Sequence, residues 1–322
     1  MRRFVFFGGK GGVGKTTVSS AYAHRCARGG LDTLLVSTDP AHSTADVFDQ
    51  AFDDDPTPVD GYDSLEVMEI DPEEAVDDHL MGIKRQLGDQ VSPAIVNEID
   101  RQIELAHRTP GAHEAALFDR FIDVMREAEH DRVVFDTSPT GGTLRLLSLP
   151  EYLGGWIDRL LEKREASVDL YEKAAIGGRE PRRTAIGDPI IARLRERKGN
   201  FEFAGRTLRE EAAFFLVVNP DELSIRETRR AVESLSSEGL AVTGLVANRL
   251  TPEPEDHEDG RGARFLRDRV ATERERLDEI RETFDQPLVA AIGTRTEEVK
   301  GDLLGSVAEE LDIEVSAETP GR

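Results

Sequence analysis

Residues 4–17, FVFFGGKGGVGKTT, join a short apolar run to a glycine-rich loop. The loop matches the pattern G-x-x-x-x-G-K-[ST], with a strand predicted before it and a helix predicted to begin near Thr16. Glycines let backbone N–H groups converge on phosphate oxygens, the lysine reaches the terminal phosphates, and the Thr16 hydroxyl binds Mg²⁺. The pattern therefore predicts a phosphate-binding loop, with nucleotide contacts from Gly9, Lys10, Gly11, Gly12, Val13, Gly14, Lys15, Thr16 and Thr17.

Two aspartates accompany apolar runs that are typical of buried strands. Asp39 follows the run 33–37, and Asp136 ends the run 132–136. Because open parallel sheets bind ligands at the carboxyl ends of their strands, we expect both carboxylates near the phosphates. Asp136 and Asp39 are predicted to hold Mg²⁺ through water together with Thr16, and Asp39 to orient or deprotonate the attacking water. A structural carboxylate at a strand end is the alternative for each.

Seven short β-rich runs recur along the chain, separated by helical stretches. Most are continuously apolar, which is typical of strands covered on both faces of a parallel sheet. The run 65–70 alternates instead, and we expect Glu66 and Glu69 to face outward on an edge strand. The pattern predicts an α/β fold, a doubly wound and mainly parallel sheet of the P-loop NTPase class. The predicted strands are 4–7, 33–37, 65–70, 132–136, 214–218, 242–247 and 288–292.

Two stretches with helical spacing of apolar residues interrupt this alternation. We predict that 72–106 and 150–200 form an inserted α-helical subdomain, which either packs on itself as a small cap or lines a substrate groove. The ATPase core is then one discontinuous domain of 1–71, 107–149 and 201–305. The remaining residues, 306–322, are predicted to be a tail that is loosely held after Asp312.

The charge balance limits the classes of partner. The net charge is −23, and only seven of the 41 basic residues are lysines, at 10, 15, 84, 163, 173, 198 and 300. A surface this acidic repels nucleic acid and anionic lipid. Acid-rich, lysine-poor composition is typical of a cytoplasm at high salt, where self-repulsion is screened. An acidic protein from a GC-rich genome is the alternative.

Cysteine content and hydropathy limit the compartment and the metal chemistry. Cys26 is the only cysteine, so we expect neither an internal disulfide nor a CxxC zinc site. The longest apolar run, 212–218, is too short to span a membrane, and the N-terminus has no signal-peptide core. We therefore expect a soluble cytoplasmic protein.

Four motifs beyond the loop resemble, in order, those of the ArsA and tail-anchored-protein-targeting ATPases. They are STDPAHS at 37–43, DTSPTGGTLRLLSLP at 136–150, NPDELSIRET at 219–228 and VANRL at 246–250, and the resemblance extends from residue 3 to about 305. It implies a Mg²⁺-dependent ATPase. In it, 38–47 is switch I and contains Asp39 as the catalytic acidic residue, and 136–145 is switch II.

The resemblance also implies contacts with the nucleotide. Asn248 would hydrogen-bond adenine bidentately, and the segment from Pro287 would flank the base. Asp221 would contact the nucleotide where the family usually has Glu, and Gly142 stands where the family usually has His.

Lys10 gives the loop the form GKGGVGKT, the deviant Walker A signature. In that superfamily this lysine projects from one subunit to phosphates bound by its partner. The resemblance therefore implies a homodimer, with Lys10, Lys15 and Asp39 as catalytic residues. A solvated loop lysine is the alternative.

The family has two branches, which differ in their cargo. Arsenite pumping of the ArsA type depends on several cysteine thiolates, and Cys26 alone cannot supply them; the bacterial pump ATPase also fuses two such halves. The targeting branch consists of homodimers whose closed state exposes an apolar groove for a client's transmembrane helix, with a possible membrane receptor as a further partner. This chain has only four Met for such a groove and lacks the CxxC of the eukaryotic proteins in 251–286.

Client targeting is the preferred prediction, and arsenite pumping is the alternative within the family. A module that binds ATP and client without significant turnover is the non-enzyme alternative. Nitrogenase-reductase activity needs more cysteines, MinD-like positioning needs a basic amphipathic C-terminal helix, and DNA partition needs a basic patch. The chain has one cysteine, residues 306–322 are acidic and offer no such helix, and the net charge of −23 disfavours a basic patch.

Overall fold

The computed structural model describes residues 2–38, 43–71, 112–137, 157–159, 161–163 and 189–315. Several predictions therefore lie outside the described residues, including Asp39, the helices of 72–106 and switch II after Thr137. The chain divides into two compact units, Met1–Leu146 with Glu211–Arg322 and Leu147–Glu210.

Eight strands of the larger unit form one sheet in the order β3-β4-β2-β5-β1-β6-β7-β8. Within this sheet β3 pairs with β4 antiparallel, and each of the other described pairs is parallel. This architecture confirms the predicted α/β class with a mainly parallel sheet. The strands are Phe4–Gly9 (β1), Thr33–Ser37 (β2), Thr57–Pro58 (β3), Leu65–Glu69 (β4), Arg132–Asp136 (β5), Ala212–Val218 (β6), Val242–Leu250 (β7) and Leu288–Gly293 (β8).

The described helices alternate with these strands along the chain. Six of them belong to the larger unit, and the smaller unit has Pro189–Glu210 (α4) and the helical residues 157–159 and 161–163. Within the described ranges, no helix combines the length and apolarity needed to cross a membrane. The other helices are Lys15–Arg28 (α1), Ser43–Phe48 (α2), Ala112–Glu127 (α3), Glu222–Ser237 (α5), Arg261–Thr283 (α6) and Asp302–Glu309 (α7).

The core lies around the middle of the sheet, where β2, β5 and β6 are buried at every residue. Phe6 stacks between two aromatic rings, with centroids 4.4 Å from Phe135 and 5.1 Å from Phe214. On the other face, Phe7 stacks on Phe215 at 5.6 Å. Because both faces are covered, these strands are continuously apolar rather than alternating.

The prediction for the end of β4 was wrong. Glu69 was expected to face outward, but it is only 5% exposed, and its Oε1 accepts the backbone N–H of Ala45 at 3.1 Å. β4 is also covered on its outer side by β3. The carboxylate tolerates burial because the start of α2 supplies a donor for it.

Residues 313–315, directly after Asp312, are held more firmly than predicted. Ile313 is buried, the Tyr22 hydroxyl donates to Glu314 O at 3.0 Å, and Arg132 Nη2 donates to Val315 O at 3.1 Å. Buried polar side chains need partners, and these backbone carbonyls supply acceptors for two of them. The segment 313–315 is therefore part of the folded core.

Candidate nucleotide-binding site

The glycine-rich loop connects the end of β1 to the start of α1. Gly9, at φ 148°, could not be replaced by a residue with a side chain, because a Cβ would lie 2.5 Å from Val217 O of the neighbouring β6. The loop backbone can therefore run close to β6 only with glycine at this position.

The N-terminus of α1 lacks the groups that usually neutralise a helix end. Its N-cap is Gly14, at φ 92°, which offers no capping side chain, and the first turn has no acidic residue. Helix α5 shows the ordinary arrangement, since Asp221 caps it by accepting Ser224 N–H at 2.8 Å and Glu222 lies in the first turn. The positive end of the α1 dipole and its backbone N–H groups therefore favour an external anion such as phosphate.

Lys15, the first residue of α1, lies over the loop. The side chain is only 8% exposed, and its Nζ donates to the carbonyl of Lys10 at 3.2 Å. A lysine ammonium has three donors, so a phosphate oxygen bound at the loop could accept another of them. Lys10 is half-buried. The hydrogen bond from Lys15 to the Lys10 carbonyl thus closes the loop on itself between the two lysines.

Asn248 lies against this loop, although it is 235 residues away from Val13 in the chain. The structure extends β7 three residues beyond the predicted strand, so that Asn248 lies within it; Leu250 at its end pairs with Gly293 of β8. Asn248 is 7% exposed, and its Nδ2 donates to Val13 O at 2.7 Å. A Cβ on Gly14 would lie 2.3 Å from the same nitrogen.

The carbonyl of Val13 orients the Asn248 amide, because only the NH₂ end can donate to it. One N–H of Asn248 is used in this bond, and the amide has a second N–H and its Oδ1 besides. An amide N–H can donate to N7 of adenine, and the amide oxygen can accept from the exocyclic amine. The contact is therefore compatible with the predicted role of Asn248 in binding the base.

Hydrogen bonds join the carboxyl ends of three neighbouring strands. Asp136 ends β5, is 1% exposed, and pairs in register with Phe7 of β1 and Ser37 of β2. The Thr137 hydroxyl donates to Phe7 O at 2.7 Å, and Thr38 N–H donates to Asp136 O at 3.1 Å. Thr137 of the predicted switch II is thus tied to β1, which carries the loop, and Thr38 of the predicted switch I is tied to the neighbouring β5.

The donor set fits a magnesium ion in chemical type. Thr16 at the loop supplies a hydroxyl, and Asp136 at the end of the adjacent strand supplies a carboxylate. Both are hard oxygen ligands of the kind that Mg²⁺ prefers, usually with several retained waters. Asp39 lies outside the described residues and stays a prediction.

Two further predicted contacts have structural partners of their own. Asp221 is exposed and caps α5, which occupies one carboxylate oxygen. Pro287 is exposed at the start of β8, and its carbonyl accepts Leu245 N–H at 2.8 Å. Their nucleotide contacts stay predictions.

Sequence reasoning did not single out one buried carboxylate near β7, that of Glu273 on α6, which is 7% exposed. No local signal distinguishes it, because α6 is rich in charged residues along its whole length. Its importance follows only from its contact with Thr251, directly after β7.

A mainly parallel α/β sheet with a glycine-rich loop of phosphate-binding pattern after β1 and a buried aspartate at the end of β5 defines a P-loop nucleoside triphosphatase. Within that class, the chain belongs to the anion-transporting ATPase family, whose model matches residues 2–312. This match confirms the resemblance stated from the motifs and supports the prediction of an ATPase.

Relatives carry the names of both branches of the family. The chain is 33% identical over 302 residues to a "Putative arsenical pump-driving ATPase 2" of Aquifex aeolicus, covering 93% of this chain and 95% of that protein. It is 30% identical over 302 residues to an "ATPase GET3" of Phaeosphaeria nodorum, covering 93% and 91%. A "Putative arsenical pump-driving ATPase" of Halobacterium salinarum is 34% identical over 325 residues, and the chain spans 46% of its length.

Gly14→Ala tests the contact between the loop and Asn248. A left-handed backbone costs an alanine about 1–2 kcal/mol, and here the new Cβ would also collide with Asn248 Nδ2 at 2.3 Å. We expect the Asn248 amide to move aside and lose its bond to Val13 O, which adds about 1 kcal/mol to the loss of unfolding free energy from that strain, measured by denaturant unfolding without nucleotide. Gly12→Ala is the matched control, since Gly12 has φ 78° but nothing within 4 Å of its would-be Cβ. Equal losses in the two variants would contradict the collision.

Proposed function

We propose that this chain is a Mg²⁺-dependent ATPase that acts as a nucleotide-switched homodimer and binds and releases a hydrophobic client, the transmembrane segment of a tail-anchored membrane protein. The observation that carries the ATPase part is the uncapped N-terminus of α1 beneath the glycine-rich loop, with the Asn248 amide against Val13. Together they offer one place for phosphates and one for an adenine base.

Each residue of the site has a proposed task in hydrolysis. Lys15 and the loop N–H groups bind the terminal phosphates, and Thr16 and Asp136 hold Mg²⁺. When bound, Mg²⁺ neutralises charge on the phosphate oxygens. Asp39 orients the attacking water and accepts its proton.

The homodimer rests on Lys10, an early lysine in the loop of a chain that has only seven. We propose that Lys10 of one subunit reaches the phosphates held by the other, where its charge stabilises the transition state. This role resembles that of a cationic finger supplied in trans.

Lys10→Ala tests the trans contact. We expect the steady-state ATPase rate to fall by about 10³-fold, the scale of a cationic finger supplied in trans, while the Kd for ATP changes little. The rate would be measured by phosphate release and the Kd by fluorescence titration. Lys300→Ala is the control, because Lys300 is a lysine paired with Glu298 at 3.2 Å outside the loop. Full hydrolysis by a monomeric Lys10→Ala protein would refute the dimer.

The single cysteine favours client targeting over metalloid transport. Cys26 is fully buried in α1, and burial raises the pKa of its thiol to about 11. At neutral pH the thiol is therefore protonated and shielded, whereas a soft metalloid ion binds exposed thiolates. The arsenical pump remains the alternative because relatives bear that name.

Thiol chemistry distinguishes these two cargoes. We expect no reaction of Cys26 with an aromatic disulfide reagent in the native protein at pH 7.5, and full reaction after denaturation, followed by absorbance. Arsenite should leave the ATPase rate unchanged. Stimulation by arsenite that disappears in Cys26→Ala would instead favour the pump.

A client-binding experiment tests the targeting role directly. The ATP-loaded full chain is mixed at high salt, as its acidic composition suggests, with a tagged C-terminal transmembrane peptide. We expect the peptide to co-purify with the protein and to stay soluble, and a peptide with charged residues in its apolar segment to fail. If neither peptide binds, the targeting proposal is wrong. If Asp39→Asn releases the client as fast as the parent protein does, the module without turnover is the better description.

A further inference from the structure

Helix α6 carries one buried carboxylate, that of Glu273, which accepts three hydrogen bonds. Its Oε2 accepts Thr251 N–H at 2.7 Å, and its Oε1 accepts the Thr251 hydroxyl at 2.7 Å. Arg269, one turn earlier on α6, donates from Nε to Oε1 at 2.9 Å. Two of the three bonds therefore hold one residue, Thr251, through its backbone and its side chain together.

These bonds keep the carboxylate charged inside the protein. Burial by itself would raise the pKa of Glu273, but the bonds from Thr251 and Arg269 outweigh it and lower the pKa below the usual value. Hydrogen bonds to an ionised acceptor are about twice as strong as neutral ones. The contact between Glu273 and Thr251 is therefore a strong local constraint on the chain after β7.

The constraint acts on a strained piece of backbone. Arg249 has φ 61°, the left-handed region that a residue with a side chain seldom adopts, and it directly follows Asn248. Leu250 O accepts Thr294 N–H at 2.7 Å on the other side of the strand end. Such strain persists only where neighbouring contacts over-determine the backbone. Thr251, held by Glu273, supplies the contact at the C-terminal side of Arg249.

We propose that Glu273 is a positioning residue for base recognition: by holding Thr251 it fixes the end of β7, and so holds the Asn248 amide against Val13, where it can select adenine. The inference rests on the proposed function, because it assumes that nucleotide binds at this loop. The described hydrogen bonds of Glu273 come from Thr251 and Arg269, and none of them comes from the loop.

A change at Glu273 should weaken recognition of the base far more than binding of the phosphates. The loop that binds phosphate follows β1, which is separated from β7 by β6. When Glu273 is changed, the phosphate contacts remain, and the amide that matches the adenine edge loses its fixed position. ATP should therefore bind less tightly, GTP should be affected little, and hydrolysis at saturating ATP should continue.

Glu273→Gln in the full chain is the principal test, because it keeps the size of the side chain but puts an NH₂ donor where one oxygen accepted. We expect the Kd for ATP to rise about tenfold, equivalent to about 1.4 kcal/mol, with the Kd for GTP and kcat within about twofold. Thr251→Val removes only the hydroxyl bond and should shift the ATP/GTP ratio in the same direction by less. Arg274→Ala, on the same helix, breaks an exposed pair with Glu253 and should shift neither.

Equal weakening of ATP and GTP by Glu273→Gln, or an unchanged ATP/GTP ratio, would overturn the positioning role. A fall in melting temperature with unchanged selectivity would likewise mark Glu273 as a structural residue only. If the parent protein binds neither nucleotide, the proposed function fails instead. If it hydrolyses ATP but binds ATP and GTP equally, base selection at Asn248 is wrong and the positioning role fails with it, so the two failures are distinguishable.

Discussion

Strand β1 lies between β5 and β6, both parallel to it, and the chain must leave this buried strand at the same edge where its neighbours end. At Gly9 the backbone passes so close to Val217 O that no side chain fits. The predicted phosphate-binding loop therefore begins with backbone that carries no side chain. The Thr137 hydroxyl donates to Phe7 O just before this close passage, and α1 begins with Lys15 just after it.

The charge near the start of α1 differs from the net charge of the whole protein. The net charge of −23 disfavours nucleic acid as a partner, yet α1 begins without an acidic residue and without a capping side chain. The field at a helix end acts mainly within its first turn, so distant surface carboxylates influence it little. An acidic protein can therefore keep an anion site where its backbone is left unneutralised.

Two buried carboxylates support the sheet near strand ends. Glu69 at the end of β4 accepts Ala45 N–H, and Glu273 accepts Thr251 N–H after β7. Each carboxylate loses its water on burial but accepts hydrogen bonds from backbone N–H groups, and these bonds offset the cost of burying the charge. Sequence patterning treats such residues as surface positions, because burial of a charged side chain depends on a partner supplied by another segment.

Much of the fold could be predicted from the sequence, because local properties of the chain determine it. The runs 33–37 and 132–136 were predicted with the bounds that the structure shows, because strands buried on both faces are continuously apolar, and the phosphate loop follows from glycine conformation and spacing. The contact of Asn248 with Val13, the hold of Glu273 on Thr251 and the anchoring of 313–315 arose only on folding. These contacts join segments far apart in the chain, and their formation depends on strand order, which is set by long-range packing.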